Sequence, residues 1–267
     1  MSLQPYSRKA GSQPESPAVA VVDGGLLEIS GYQRFRLGRT DFDRLGAMHR
    51  IKFEIIRPYL QRLPPQDRVA DIGCSAGAIG LQVGLLLERK LSFIDHDPEY
   101  IDVVQACLRH LGMTEHETHA CALTAVKASC PVGIAFALIH WIYSFSEKLG
   151  SLDRAVGLLK TIATRDLFVE WVAPDDPVIR SWRHIEQNPE SIREAYELPS
   201  FLKALQTHYG SCRLVGEVSP TRSIWYASSA PVELGVLEGA LSSLRVWMRR
   251  GDLLGERLRK RLGHPPD

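Results

Sequence analysis

One run of residues limits the folds open to this chain more than any other: Arg68-Val-Ala-Asp-Ile-Gly-Cys-Ser-Ala-Gly-Ala-Ile-Gly80. Val69 to Ile72 read as a short buried strand, Gly73 to Gly77 as a turn, and Ala78 onward as the opening of a helix. Gly73, Gly77 and Gly80 mark places where the backbone passes close to a neighbour or takes positive φ. Asp71 stands near the carboxyl end of the strand. Ligands of open α/β sheets bind outside those strand ends, where the strand order reverses. An acid beside a bare turn there suits a nucleotide or nucleoside.

Strand and helix signals alternate on both sides of this run. Leu91-Ser-Phe-Ile-Asp95 is a second apolar strand, and Pro98 opens the next helix with Asp97 as its N-cap and Gly112 past its end. Thr118 to Leu123 carries a faint third strand. Ile134 to Ile142 reads as a strand buried on both faces. Residues 151–164 form a helix, Leu167 to Val172 a strand, and 178–208 a polar helical stretch. Cys212 to Val218 and Ile224 to Ser228 then pair as an antiparallel hairpin. This order predicts an α/β fold: a Rossmann-like, mostly parallel sheet with a C-terminal antiparallel hairpin, helices on both faces and an N-terminal helical extension.

The domain divisions follow composition. Residues 1–22 are a flexible tail rich in Ser, Pro, Gln and Gly. Residues 23–65 form the helical extension, with Asp41 capping a helix that carries Leu45, Met48, Ile51, Ile55 and Tyr59, its Lys and Arg on the other face. Pro58 ends or kinks that helix. Residues 66–229 are the main domain, and 230–267 an amphipathic helix with a basic end, Arg257 to Arg261. A homodimer interface is one use for that helix; intramolecular packing is another.

Bulk properties remove several function classes. The formal net charge is +1, so no overall field favours nucleic acid or a membrane surface. No apolar run reaches the ~18 residues of a membrane span, and the N-terminus lacks the apolar core of a signal peptide. Cys74, Cys107, Cys121, Cys130 and Cys212 show no paired spacing, which fits reduced thiols in a cytoplasmic protein. The histidines lack ligand-like spacing, so no metal site is expected.

The motifs resemble those of class I S-adenosylmethionine-dependent methyltransferases. The first motif of that family is similar to Asp71-x-Gly73-x-x-x-Gly77, and its second, an acid closing the second strand, is similar to Asp95 in Phe93-Ile-Asp-His-Asp-Pro-Glu. The resemblance covers residues 45–227 and implies a seven-stranded sheet with S-adenosylmethionine as cofactor. A dinucleotide site would use Gly-x-Gly-x-x-Gly instead; here Ser75 takes the place of the second glycine. The resemblance puts Asp71, Gly73, Cys74, Ser75 and Gly77 near the donor's amino acid and ribose portions. Asp95 and His96 fall at the ribose, where a carboxylate accepts hydrogen bonds from both hydroxyls. Ala122 and Leu123 fall near the adenine, and His140 at the cofactor's edge.

Two acceptor-side groups stand out. His140 closes the fourth strand, with an imidazole able to take a proton near neutral pH. Glu170 closes the fifth strand; it orients substrate or pairs with an arginine. Trp141 and Tyr143 are candidate substrate walls. Arg34, Arg36 and Arg39 read as a solvated face or an anion site, and Asp176 as a helix cap. The expected reaction is methyl transfer to a hydroxyl of a small molecule, such as a sugar, natural product or lipid-like metabolite. RNA or protein methylation, and cofactor binding without catalysis, are the rival readings.

Overall fold

The computed structural model describes residues 16–145, 151–182 and 195–230. The chain starts with a small antiparallel meander, β1 (Val19–Val22), β2 (Leu26–Ile29), β3 (Phe35–Leu37) and β4 (Phe42–Leu45), before α1 (Ala47–Leu60). The 23–65 extension is therefore helical only in its second half, and Val19–Val22 belongs to a strand, not to a flexible tail. The reason is a period of two: Leu27, Ile29, Phe35 and Leu37 all point inward, buried, while Glu28 and Arg36 pair across the outer face at 2.9 Å. Asp41 sits in the β3–β4 turn, where its carbonyl accepts from Gly38 N, and Gly46 takes the N-cap of α1.

The main sheet is built from β5 (Val69–Ile72), β6 (Leu91–Asp95), β7 (Glu117–Ala120), β8 (Cys130–Ala135), β9 (Ala163–Val172), β10 (Ser211–Ser219) and β11 (Arg222–Ser228). Its order is β10-β11-β9-β8-β5-β6-β7, and β11 alone runs antiparallel to its neighbours. The order reverses between β5 and β8, which opens the crevice where such sheets bind ligands.

Helices cover both faces. On one side, α1, α2 (Ala78–Leu87) and α3 (Pro98–Leu111) pack around Phe53, Leu60, Phe93, Val104 and Phe168. On the other, α4 (Ile139–Phe145), α5 (Leu152–Ile162) and α7 (Leu198–Tyr209) pack around Tyr143, Leu159, Trp171 and Phe201. A shorter helix, α6 (Pro177–Trp182), follows β9, so the polar 178–208 stretch is two separate helices among its described residues. The helix expected at 230–267 lies outside the described residues.

The fourth strand departs from expectation. It stops at Ala135 because Ala137 adopts φ 50°, and a left-handed residue cannot continue a strand. Residues 139–145 are helical, so His140, Trp141 and Tyr143 lie on α4 instead of a strand. Far below the crevice, Arg89 ties off the carboxyl end of α1, its guanidinium donating to the carbonyls of Leu60, Leu63 and Pro64.

Candidate active site

The turn after β5 is bound tightly to the end of β6. The carbonyl of Ile94 accepts from Gly73 N at 2.8 Å and from Cys74 N at 3.1 Å. Asp95 Oδ2 accepts from Ser75 N at 2.8 Å, and its Oδ1 accepts from Asp97 N at 3.0 Å, with His96 Nδ1 3.2 Å away. Two backbone donors thus hold the carboxylate at the carboxyl edge of the sheet, while lone pairs remain on each oxygen. Ser75 takes φ 50° to make this possible, beside Gly73 at 68° and Gly77 at 80°. A non-glycine residue in that region costs of order 1–3 kcal/mol, and Ser75 and Ala137 are both found beside the crevice.

The glycines divide by purpose. A Cβ at Gly73 would meet Leu138 Cδ1 at 2.8 Å, so this position lets the β8–α4 segment close over the turn. At Gly80 it would meet Phe93 Cε1 at 2.4 Å and Asp71 Oδ2 at 2.8 Å, so that glycine serves strand–helix packing. Asp71 Oδ2 accepts from Gly80 N at 2.9 Å. Burial pushes the Asp71 carboxyl up to about 7; the Gly80 bond opposes this, and the nearby Asp95 charge reinforces it. On the far side of the crevice, Asp95 O accepts from Cys121 N at 2.9 Å, which brings exposed Ala122 and half-buried Leu123 round to the same edge.

The loop between β2 and β3 reaches over this turn. Gln33 Oε1 accepts from Ala78 N, the first amide of α2, at 3.3 Å. Next to it, Tyr32 keeps 58% of its surface exposed. Partial burial raises its pKa, Arg222 pulls the other way, and Glu170 and Asp176 add to the rise. Those three residues form a second group of charges.

That group lies on the other side of the crevice. Glu170, fully buried near the end of β9, receives Lys52 Nζ of α1 on Oε2 at 2.6 Å. Arg222 Nη1, from the start of β11, stands 3.8 Å from Glu170 Oε1, and that oxygen accepts no hydrogen bond. The same guanidinium grips Asp176, with Nε 2.8 Å from Oδ2 and Nη2 2.9 Å from Oδ1. Thr221 Oγ1 and Val178 N complete the Asp176 shell, so Asp176 does cap α6. Burial alone would raise the Asp176 carboxyl, but Arg222, Thr221 and Val178 hold it at about 2. Lys52 Nζ also sits 5.7 Å above the ring of Phe136, the first residue after β8. Burial, then the Lys52 ammonium, push the His49 imidazole down to about 4, so it is neutral at pH 7.

Sequence reasoning missed Lys52 by placing it on the solvent face of α1. It belongs to the buried face, with Phe53, Ile56, Tyr59 and Leu60. A lysine at the phase of a helix's apolar stripe was the available signal. Arg222 and Tyr32 carried no such mark.

The other expected residues fall into place with corrections. Tyr143 is fully buried, its ring 5.0 Å from Tyr196, so it belongs to the core and does not line an open pocket. Trp141 is half-buried on α4, its ring 5.5 Å from the buried imidazole of His140. Arg36 pairs with Glu28, and Arg39 donates to His110 O at 3.1 Å, so both serve the meander and its contact with α3. Among the described residues, no cluster of three or more His, Cys, Asp or Glu could hold a metal ion, and no helix is long and apolar enough to cross a membrane.

The sheet order, the single reversed strand and the acid-bearing turn at the switch point together decide the fold. It is a Rossmann-like α/β fold, a seven-stranded, mostly parallel sheet with a C-terminal antiparallel hairpin. No protein-family model and no curated protein matches this chain. Among solved structures it is similar to the bifunctional kinase-methyltransferase WbdD, at 16% identity and TM-score 0.49 over 70% of this chain and 39% of that one. It is also similar to a putative O-methyltransferase from Nostoc punctiforme, at 14% identity and TM-score 0.49 over 68% of this chain and 56% of that one. A third is EvdMO1, at 13% identity and TM-score 0.47 over 66% of this chain and 40% of that one. The chain thus spans well under two thirds of each of these proteins.

Proposed function

We propose that the chain is an S-adenosylmethionine-dependent methyltransferase acting on a hydroxyl of a small molecule. The observation that carries the donor half is Asp95, clamped by Ser75 N and Asp97 N at the open edge of β6. A ribose offers two vicinal hydroxyls, and a carboxylate already fixed in place accepts them with little ordering cost. Gly73, Cys74, Ser75 and Gly77 would border the donor's ribose and amino acid portions. Asp71 would face its ammonium, and Ala122 and Leu123 its adenine. When bound, the cofactor supplies an activated methyl group on a sulfonium.

The protein's own part is to hold the partners in line and keep water out, because the leaving group needs no further activation. A proton acceptor matters only when the attacking atom carries a proton, as a hydroxyl does. His140 and Glu170 are the two groups offered for that role. Lys52 donates to Glu170 Oε2 at 2.6 Å, while Glu170 Oε1 accepts no hydrogen bond and stands beside the Arg222 guanidinium.

The test is calorimetric titration with S-adenosylhomocysteine on the wild type and on Asp95→Ala. The wild type is expected to bind and the variant to bind at least tenfold more weakly. A wild type that fails to bind would sink the donor reading, and equal binding by the variant would remove Asp95 from it.

A further inference from the structure

A side-chain hydrogen bond joins the N-terminal meander to the start of α2. Gln33 Oε1, from the loop between β2 and β3, accepts from Ala78 N at 3.3 Å. A backbone amide can only donate, so the oxygen of the Gln33 side chain, and not its NH₂, faces α2. The meander behind this loop is fixed. Leu27, Ile29, Phe35 and Leu37 share one core with Ala78, Phe93 and Val104, and Arg39 donates to His110 O of α3 at 3.1 Å. At the base of the loop, Ser30 N donates to Ala18 O at 3.0 Å, and Arg34 Nε turns back on Gly31 O at 3.3 Å. Gln33 itself is half-buried between exposed Tyr32 and exposed Arg34, so its side chain can leave Ala78 without unpacking the core.

The first turn of α2 thus meets two acceptors of different kinds. Gly80 N donates to Asp71 Oδ2 at 2.9 Å, and Ala78 N, two residues earlier, donates to a neutral amide. Asp71 is only 5% exposed, yet among the described residues no Lys, Arg or His pairs with it, and its Oδ1 accepts no hydrogen bond. A buried carboxyl that lacks a cation therefore lies on the same turn as a helix amide held by a long, neutral bond. Their complement is a molecule that carries an ammonium and a carboxylate on one carbon, as the amino acid portion of the methyl donor does. A carboxylate oxygen is also a stronger partner for a helix's first amide than a neutral amide oxygen is.

We propose that Gln33 is a latch on the donor site. Its amide oxygen holds Ala78 N until the donor's α-carboxylate takes that N–H, with the donor's ammonium on Asp71. The displaced side chain then turns its NH₂ to the same carboxylate, which fastens the meander to the bound donor. This rests on the methyl-transfer reading above and adds to it a residue that regulates entry to that site. Glutamine suits the role because one planar amide carries the acceptor for the first state and the donors for the second. Glutamate would hold Ala78 N and repel the incoming carboxylate; alanine would do neither.

The experiment is calorimetric titration of wild type, Gln33→Ala and Gln33→Glu with two nucleosides. S-adenosylhomocysteine carries the amino acid portion, and 5′-methylthioadenosine lacks it. Gln33→Ala should bind S-adenosylhomocysteine about three- to tenfold more weakly than wild type, and Gln33→Glu at least about tenfold more weakly. Both variants should bind 5′-methylthioadenosine within about twofold of wild type. Chemical denaturation accompanies each titration. Gln33→Glu should unfold at or above the wild-type midpoint, since a negative charge at a helix N-terminus is favourable, so its weaker binding would not come from a damaged fold. A merely structural cap predicts lower stability for Gln33→Ala and wild-type affinity for Gln33→Glu. Three results would overturn the latch: wild-type affinity of Gln33→Glu for S-adenosylhomocysteine, undiminished affinity of Gln33→Ala, or equal losses with both nucleosides. If Gln33→Ala is too unstable to titrate, Gln33→Glu decides alone. Any of those results leaves the donor reading standing, because the wild type still binds. A wild type that binds neither nucleoside removes the donor reading and the latch together.

Discussion

The two sides of the crevice are built in opposite ways. The side proposed for the donor is local: Asp71, the glycine turn and Asp95 lie within 25 residues, tied together by backbone amides. The other side is assembled from Lys52, Glu170, Asp176 and Arg222, held by side-chain ion pairs across up to 118 positions of sequence. A backbone-built site tolerates the loss of one side chain with its shape intact. A side-chain-built site has no such reserve, because each member neutralises another buried charge.

The sharpest way to break this contrast is to remove one member of each side. Lys52→Met strands the buried Glu170 carboxylate and should lower stability by about 3–5 kcal/mol, read from chemical denaturation. Adding Glu170→Gln should recover most of it. If Lys52→Met unfolds at the wild-type midpoint, the pair is not a buried ion pair in solution.

The Asp71 carboxyl offers the next largest effect, and its sign is opposite to that of a paired acid. Its folded pKa is raised to about 7, so the folded state holds a proton that the unfolded chain has already lost. Its stabilising contribution is present below about pH 4, is lost as pH rises through about 7, and amounts to roughly 4 kcal/mol at most. Asp71→Asn should flatten that decline in a series of unfolding curves. If a cationic ammonium binds beside it, S-adenosylhomocysteine titration near pH 7 should release a proton and give a buffer-dependent heat. The Asn variant should show none.

Asp95→Ala is expected to weaken S-adenosylhomocysteine by roughly 1.5–3 kcal/mol, about ten- to a hundredfold, with a smaller loss of stability than Lys52→Met. The reverse ranking would erase the distinction between the two sides. The smallest effect belongs to Ala137, at φ 50°. Ala137→Gly should stabilise by about 1 kcal/mol or less, since glycine adopts that conformation freely but costs more entropy when ordered. A marked loss of stability would show that Ala137 is not strained.

Much of the main sheet could be read from the chain because its signals are short-range. Leu91 to Asp95 is apolar enough to be buried on both faces, and Asp97-Pro98 starts the following helix with an Asp97 side-chain bond to Glu99 N at 2.9 Å. The meander before α1 was harder. Its apolar residues alternate only over three or four positions at a time, and a period of two over so short a run is easily taken for part of a helical stripe. The break at Ala137 left no trace, because alanine gives no warning of a left-handed backbone. What closes over Gly73 is Leu138, a contact made possible by that break.

The sequence by itself determined the alternation of strands and helices, the reversed hairpin, and the acid-and-glycine turn after β5. Those features depend on neighbours within one or two elements. Only the tertiary structure decided that Lys52 is buried against Glu170, that Arg222 stops 3.8 Å short of the same carboxylate, and that His140 lies on a helix. The physical reason is the sheet order: β9 lies between β8 and β11, with α1 packed on the sheet's face. That arrangement brings together charges that the linear chain keeps far apart.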